Sequence, residues 1–270
     1  GAGAAMMLNE GLYEKFPIPD YGIGLHSSPT IPSGKVGFGK GYTMANTESV
    51  DIKIYGQGAH GASPHMSIDP IVTASLIVME LQTIVSRNIN PIDDAVITVG
   101  SINGGTKHNI IPDEVNLQLT IRTYKDEVRK LIHKRIKEIC NGIASSMGLD
   151  KSRWPEVIIP DNYTPANYND EKLVDIMVDV SESVLGKENV INSEPQMVGE
   201  DFARYGSTKE DIPTVLYWLG TVPKERMEKY NEGNYALPAL HSPFYYPDIE
   251  NSIKTGVLVS TESMIKLFNK

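Results

Sequence analysis

The chain is 270 residues long, 40% hydrophobic and 22% charged, with a net charge of -9. It has room for about two domains and too much apolar content for wholesale disorder. No stripe of Lys and Arg occurs, and phosphate binding needs one, so no nucleic-acid partner is expected.

From the amino end, Gly1 to Ala5 run into Met6-Met7-Leu8, which composition alone reads either as a tag scar or as the broken edge of a longer polypeptide. Residues 4–10 form a short helix stopped by Gly11. Ile18 to Pro29 is a strand and loop carrying His26. Gly34, Gly37, Gly39 and Gly41 then punctuate a turn-rich hairpin, and none has the spacing of a phosphate loop. Asp51 to Tyr55 alternates as a strand. Asp69-Pro70 opens a helix to about Arg87, with Asp as N-cap and Pro in the first turn. Ala95 to Ile102 is a second strand. Val115, Leu117, Leu119 and Ile121 alternate with polar residues in a half-buried third.

Val128, Leu131, Ile132, Ile136, Ile139, Cys140 and Ile143 repeat at helical spacing in a helix ended by Gly148; Lys134, Arg135 and Lys137 lie on its solvated side. Glu156 to Ile159 is a fourth strand. The order β-α-β-β-α-β is that of a ferredoxin-like unit, with both helices on one face and Lys53, Gln118 and Arg122 on the other. It begins and ends inside the chain, so residues 49–162 read as an inserted domain and 1–48 with 163–270 as the domain it interrupts. Beyond it follow a helix from Glu171 to Val184, a buried strand from Pro213 to Leu219 and a closing helix from Ile253 to Phe268.

Cys140 is the sole cysteine, which excludes an intramolecular disulfide and points to a reducing compartment; its place on the apolar stripe makes it a buried, inert thiol. No apolar run reaches membrane-spanning length and no secretory segment opens the sequence. A cytoplasmic location and no membrane partner are expected.

His26, in Gly-Leu-His-Ser-Ser-Pro, and His241, in Ala-Leu-His-Ser-Pro, have matching surroundings that place each imidazole at the end of an element. Each is either structural or a metal ligand, and two ligands do not complete a metal site. His60 lies among Gly58, Ala59, Gly61 and Ala62, small residues that let a substrate or a second backbone approach. Asn109, after His108 in a tight loop, is a turn residue or a donor to an oxyanion. Arg122 serves a carboxylate fork or a surface salt bridge. Glu200-Asp201 either complements a helix N-terminus or orients a ligand histidine.

Taken together, Gly24-Leu-His26, Gly58-Ala-His60-Gly-Ala-Ser-Pro-His65, Gly105-Thr-Lys-His108-Asn109-Ile-Ile-Pro112, Gly199-Glu200-Asp-Phe202 and Leu240-His241-Ser-Pro243 resemble the M20 metallopeptidase/aminoacylase family, in its amidohydrolase branch. The resemblance implies an α/β fold: a di-metal hydrolase catalytic domain, with a mixed sheet and helices, interrupted by a ferredoxin-like βαββαβ lid or dimerisation domain. It implies His26 and His241 as terminal metal ligands. His60 would reach into the partner subunit's site to polarise the scissile carbonyl, assisted by Asn109, and Arg122, His108 and Glu200 would bind substrate. It further implies two divalent ions (zinc, or manganese, cobalt or nickel), a small N-acyl amino acid or peptide-like substrate, and a homodimer formed through the inserted domain.

The family's His-x-Cys-Gly-His-Asp and Glu-Glu motifs are expected upstream of Gly1, which favours the broken-edge reading. The catalytic domain is then partial, and the chain alone is expected to hold metal weakly or not at all and to be hydrolytically inactive. A different class of function is a non-catalytic module that self-associates through the inserted domain.

Overall fold

A computed structural model describes residues 2–269. In chain order the elements begin with helices α1 (Gly3–Asn9) and α2 (Leu12–Lys15) and strands β1 (Gly22–Pro32), β2 (Val36–Phe38) and β3 (Gly41–Met44). Next come β4 (Glu48–Tyr55), β5 (Ala59–His60), α3 (Pro70–Thr83), β6 (Ala95–Gly104), β7 (Ile110–Ile111), β8 (Glu114–Thr123), α4 (Asp126–Ser146) and β9 (Glu156–Ile158). The chain closes with β10 (Asn167–Asn169), α5 (Glu171–Leu185), β11 (Val190–Asn192), α6 (Ala203–Gly206), β12 (Thr214–Val222), α7 (Lys224–Asn231) and α8 (Ile249–Phe268). They divide into two compact units, one of Gly1–Met44, Asn167–Gln196 and Glu200–Lys270, the other of Ala45–Ala166 with Met197–Gly199.

The second unit is the expected ferredoxin-like fold, with an antiparallel sheet in the order β6-β8-β4-β9. Period-two alternation puts Val115, Leu117, Leu119 and Ile121 of β8 inside, against Ala74, Ile77 and Leu81 of α3 and Ile132, Ile136 and Ile139 of α4. The Asp69 carboxylate caps α3, accepting from Ile71 N at 2.8 Å. The helix ends at Thr83 rather than near Arg87, where Ile84–Asn88 widens into a π-helical turn. Cys140 is fully buried, and burial pushes its thiol up to about 12, as befits an inert core residue.

The unit's compact limits lie outside 49–162 because Thr47 and Thr164 exchange backbone hydrogen bonds of 3.0 and 2.9 Å. Asn46 Oδ1 also accepts from Thr123 N at 2.8 Å. Beside them Glu48, 1% exposed, accepts from Arg129 Nε and Nη2 at 3.1 and 2.8 Å and pairs with His133 Nε2 at 2.5 Å. No sequence pattern announced this buried ion cluster.

The first unit holds a mixed sheet in the order β1-β12-β2-β11, with β12 parallel to β1 and antiparallel to β2. All nine positions of β12 are buried, which is why residues 215–219 read as an unbroken apolar run. Leu173, Val174 and Met177 of α5 and Val259 of α8 pack on it. The glycines from Gly34 to Gly41 do not make the expected hairpin. β12 inserts between β1 and β2, while β3 leaves to pair with β10. Gly39 serves close packing instead, since a Cβ there would stand 2.8 Å from the Ser193 carbonyl oxygen. Among the described residues no helix is long and apolar enough to cross a membrane.

Candidate functional site

His26 lies inside β1, opposite Trp218 of β12, and not at the end of an element as its Ser-Ser-Pro context suggested. The strand runs on through Pro29 to Pro32 because it shifts register after Ser28 and continues beside Val222. The imidazole packs edge-on against the Trp218 ring, with centroids 5.2 Å apart, and Nδ1 is 2.9 Å from the Ser27 carbonyl oxygen. A carbonyl only accepts, so the network assigns the proton to Nδ1 and leaves the Nε2 lone pair free. That Nε2 stands 3.8 Å from Glu200 Oε2, with both side chains roughly 30% exposed. The Ser27 contact thereby fixes the tautomer of the ring and leaves Nε2 facing the Glu200 carboxylate.

Glu200 and Asp201 face different neighbours. Glu200 faces His26, whereas Asp201 Oδ2 accepts from Ala4 N at 3.0 Å, within the first turn of α1. Burial alone would push the Asp201 carboxyl up; the bonds from Ala4 and Glu200 and the nearby Arg204 charge carry it below its ordinary value.

His241 belongs to the same unit and sits exposed on a turn with φ 65°, a left-handed conformation uncommon for residues other than glycine. The turn is closed by Ser242 N to Ala239 O at 3.2 Å and Tyr245 N to Ser242 O at 3.0 Å. Tyr245 is anchored in turn, its hydroxyl 2.6 Å from Thr221 Oγ1, which donates to the Ser28 carbonyl at 2.6 Å. Sequence reasoning passed over Thr221 and Tyr245, because no periodicity or motif marks a hydroxyl pair 24 residues apart. Among the described residues no three His, Cys, Asp or Glu side chains gather as a metal site would need.

The other candidates belong to the second unit. His60 is not in an open loop but in a two-stranded ribbon, paired with Ile110, and Gly61 N donates to Asn109 O at 2.8 Å. The ribbon therefore brings His60, His108 and Asn109 together, all exposed. His60 Nδ1 accepts from Ala62 N at 3.0 Å, so Nε2 carries the hydrogen and is a donor. The small residues have the expected use, since a Cβ at Gly58 would stand 2.8 Å from Ile111 O. Among the described residues Arg122 makes no surface salt bridge. Its Nη1 donates to Met197 O at 2.6 Å, binding the Met197–Gly199 segment to β8. On the same strand Gln118 meets Asp51, and Lys53 pairs with Glu114 at 2.9 Å.

Residues 45–147 match the peptidase dimerisation domain of the M20 family. The hippurate hydrolase of Campylobacter jejuni is 37% identical over 77% of this chain and 53% of its own length. The N-acetyl-L-cysteine deacetylase of Bacillus subtilis is 38% identical over 82% of this chain and 50% of its own. A solved Bacillus subtilis structure, described as a dinuclear metal binding peptidase from the M20 family, superposes with a TM-score of 0.72 at 26% identity, covering 98% of this chain and 61% of that one. The chain thus spans about half the length of the curated relatives it matches. It is similar to M20-family proteins along nearly its whole length, and residues 45–147 match the dimerisation domain of that family.

Proposed function

We propose that the chain forms part of a metal-dependent amidohydrolase that cleaves the amide bond of N-acyl amino acids or similar small conjugates. The two curated relatives support the substrate class, because hippurate and N-acetylcysteine each carry an acyl group on an amino acid nitrogen. When bound, two divalent ions (zinc, manganese, cobalt or nickel) supply Lewis acidity, acidifying water and polarising the scissile carbonyl. The dinuclear neighbour supports the number two.

In this reading His26 offers its Nε2 lone pair as one terminal ligand, held by the Ser27 carbonyl, and His241 offers another. Glu200, beside His26, accepts from the substrate amide N–H. His60, on the partner copy, donates from Nε2 to the oxygen that gains charge, and the Asn109 side-chain amide adds a second donor. His108 and Arg122 hold the substrate carboxylate, Arg122 with the N–H groups not given to Met197. The chain alone, which spans about half the length of those relatives, is expected not to hydrolyse substrate. The location is cytoplasmic.

The single observation that carries the reading is the His26 geometry, with one ring nitrogen tied to a carbonyl and the other turned toward Glu200. Its test is metal-dependent release of an amino acid from N-acetyl or N-benzoyl substrates by the product of the complete reading frame. His26→Ala and His241→Ala are expected to abolish release, and full activity in either would overturn the assignment.

Self-association has its own support. Val72, Leu76 and Met79 form an exposed apolar stripe on α3, and β6 is an outer strand of the sheet. In the second reading the chain is a non-catalytic module that pairs through this unit. A dimer by light scattering, together with no metal-dependent release in the hydrolysis test above, would favour it over the hydrolase.

A further inference from the structure

We infer that β1 and α8 of the first unit form a docking face for a further stretch of the same protein, a β-strand along the free edge of β1 whose apolar surroundings cover α8. The inference takes from the reading above only that the chain is part of a longer protein, and rests on neither catalysis nor metal. α8 is inverted for a surface helix. Its buried residues are Ser252, Thr255, Gly256, Val259 and Ser263, small or polar but for Val259. Its large apolar residues Ile249, Ile253, Val257, Met264 and Phe268 recur every four or seven positions, on one face, and that face is exposed, Val257 by 61% and Phe268 by 87%. A helix that borders water carries its polar residues outward, so small residues within and large apolar ones without suit a helix covered on both sides.

β1 continues the same surface. It is an outer strand of its sheet and 11 residues long. Residues 22–28 include no Lys, Arg, Asp, Glu or Pro, the residues that blunt an exposed edge. Leu25, exposed midway along them, reaches α8, since a Cβ on Gly256 would stand 3.4 Å from Leu25 Cδ2. A groove of about 530 Å³ between the start of the strand and the end of the helix is lined by Tyr21, Ile23, Met264 and Phe268. An unpaired edge takes another strand through its backbone N–H and C=O groups, and the stripe beside it takes apolar side chains. About half the length of each of the two curated relatives has no counterpart in this chain, polypeptide enough to supply both. A second copy fits less well. α3 and β6 of the other unit already offer a self-pairing face, and another would carry the assembly beyond a dimer.

The test compares the 270-residue chain with the product of the complete reading frame, each as wild type and as Ile253→Gln with Val257→Gln. In the 270-residue chain the double variant is expected to keep its Tm within about 2 °C, because both positions face water, and to lower the fluorescence of bound anilinonaphthalene sulfonate about twofold. In the complete product, wild-type dye fluorescence is expected to be about threefold lower, and the same variant to lower the Tm by about 5 °C or more, because there the two side chains are buried. Hydrogen exchange needs no substitution; it is expected to slow about a hundredfold at the amides of residues 22–28 in the complete product. Equal dye fluorescence and equal exchange in the two wild types, or a variant Tm in the complete product within about 2 °C of wild type, overturns the inference. So does a reading frame that encodes nothing beyond these residues. A mass by light scattering that the double variant lowers in the 270-residue chain assigns the face to a second copy and overturns it as well. Amide hydrolysis, present or lost, moves none of these readings, so the two proposals fail separately.

Discussion

Replacing Glu48 by Gln removes the only carboxylate among the described residues that faces both Arg129 and His133 in the second unit. The side chains are 1% and 14% exposed for Glu48 and Arg129, so the guanidinium loses its counter-charge where water cannot replace it. Breaking such a buried pair from one side costs about 3–5 kcal/mol. Arg129 keeps Asp126 at 3.2 Å and the Tyr163 ring at 3.8 Å, so we expect about 2–3 kcal/mol, or a fall of about 10 °C in the Tm of that unit. The chain has 2 tryptophans, Trp154 in this unit and Trp218 in the other. Trp154 fluorescence in a Trp218→Phe background therefore reports the right transition.

The same variant changes the pH dependence. Burial pushes the Glu48 carboxyl up, but hydrogen bonds from His133 and Arg129 outweigh it and hold the group below its ordinary 4.5. A group depressed in the folded state contributes stability that is complete above its unfolded value and is lost as pH falls through the folded one. The wild type should thus lose stability in this unit below about pH 4.5, and Glu48→Gln should lack that part of the slope. Glu48→Leu combined with Arg129→Met should recover at least half of the loss. A Glu48→Gln cost under about 0.5 kcal/mol, or an unchanged acid slope, would refute the buried-pair account.

Three further outcomes are expected. Cys140, with its thiol at about 12, should be silent to an aromatic disulfide reagent at pH 8 in the folded chain and react fully in denaturant, as followed by absorbance. Asp69→Ala, which strips the N-cap from α3, should cost about 1 kcal/mol in urea unfolding of the second unit, with no change in the first. Leu76→Glu with Met79→Glu should abolish the proposed self-association and give a monomer by light scattering, with the far-ultraviolet circular dichroism retained.

The inserted unit was largely legible in the sequence. Alternation on β8, the stripe of α4 and the Asp69-Pro70 cap are each written within about a dozen residues, and the observed elements follow them. The first unit was legible only in part. β12 announced itself as an apolar run, but the short strands β2, β3, β10 and β11 carry too few residues to show a period. For the candidate site the sequence offered only a set of residue types. What escaped was which groups those residues touch: Ser27 for His26, Ala4 for Asp201, Ala62 for His60 and Met197 for Arg122.

By itself the sequence determined the α/β class, the ferredoxin-like insertion and the candidate histidines, because side-chain periodicity, caps and turn chemistry are local. Only the tertiary structure decided that β12 separates β1 from β2, that His26 stands within a strand, and that Glu200 faces it while Asp201 turns to α1. Those pairings join residues up to 197 apart in the chain, as Ala4 and Asp201 are. Strand register and burial choose such partners, and no local pattern encodes which distant backbone a side chain will meet.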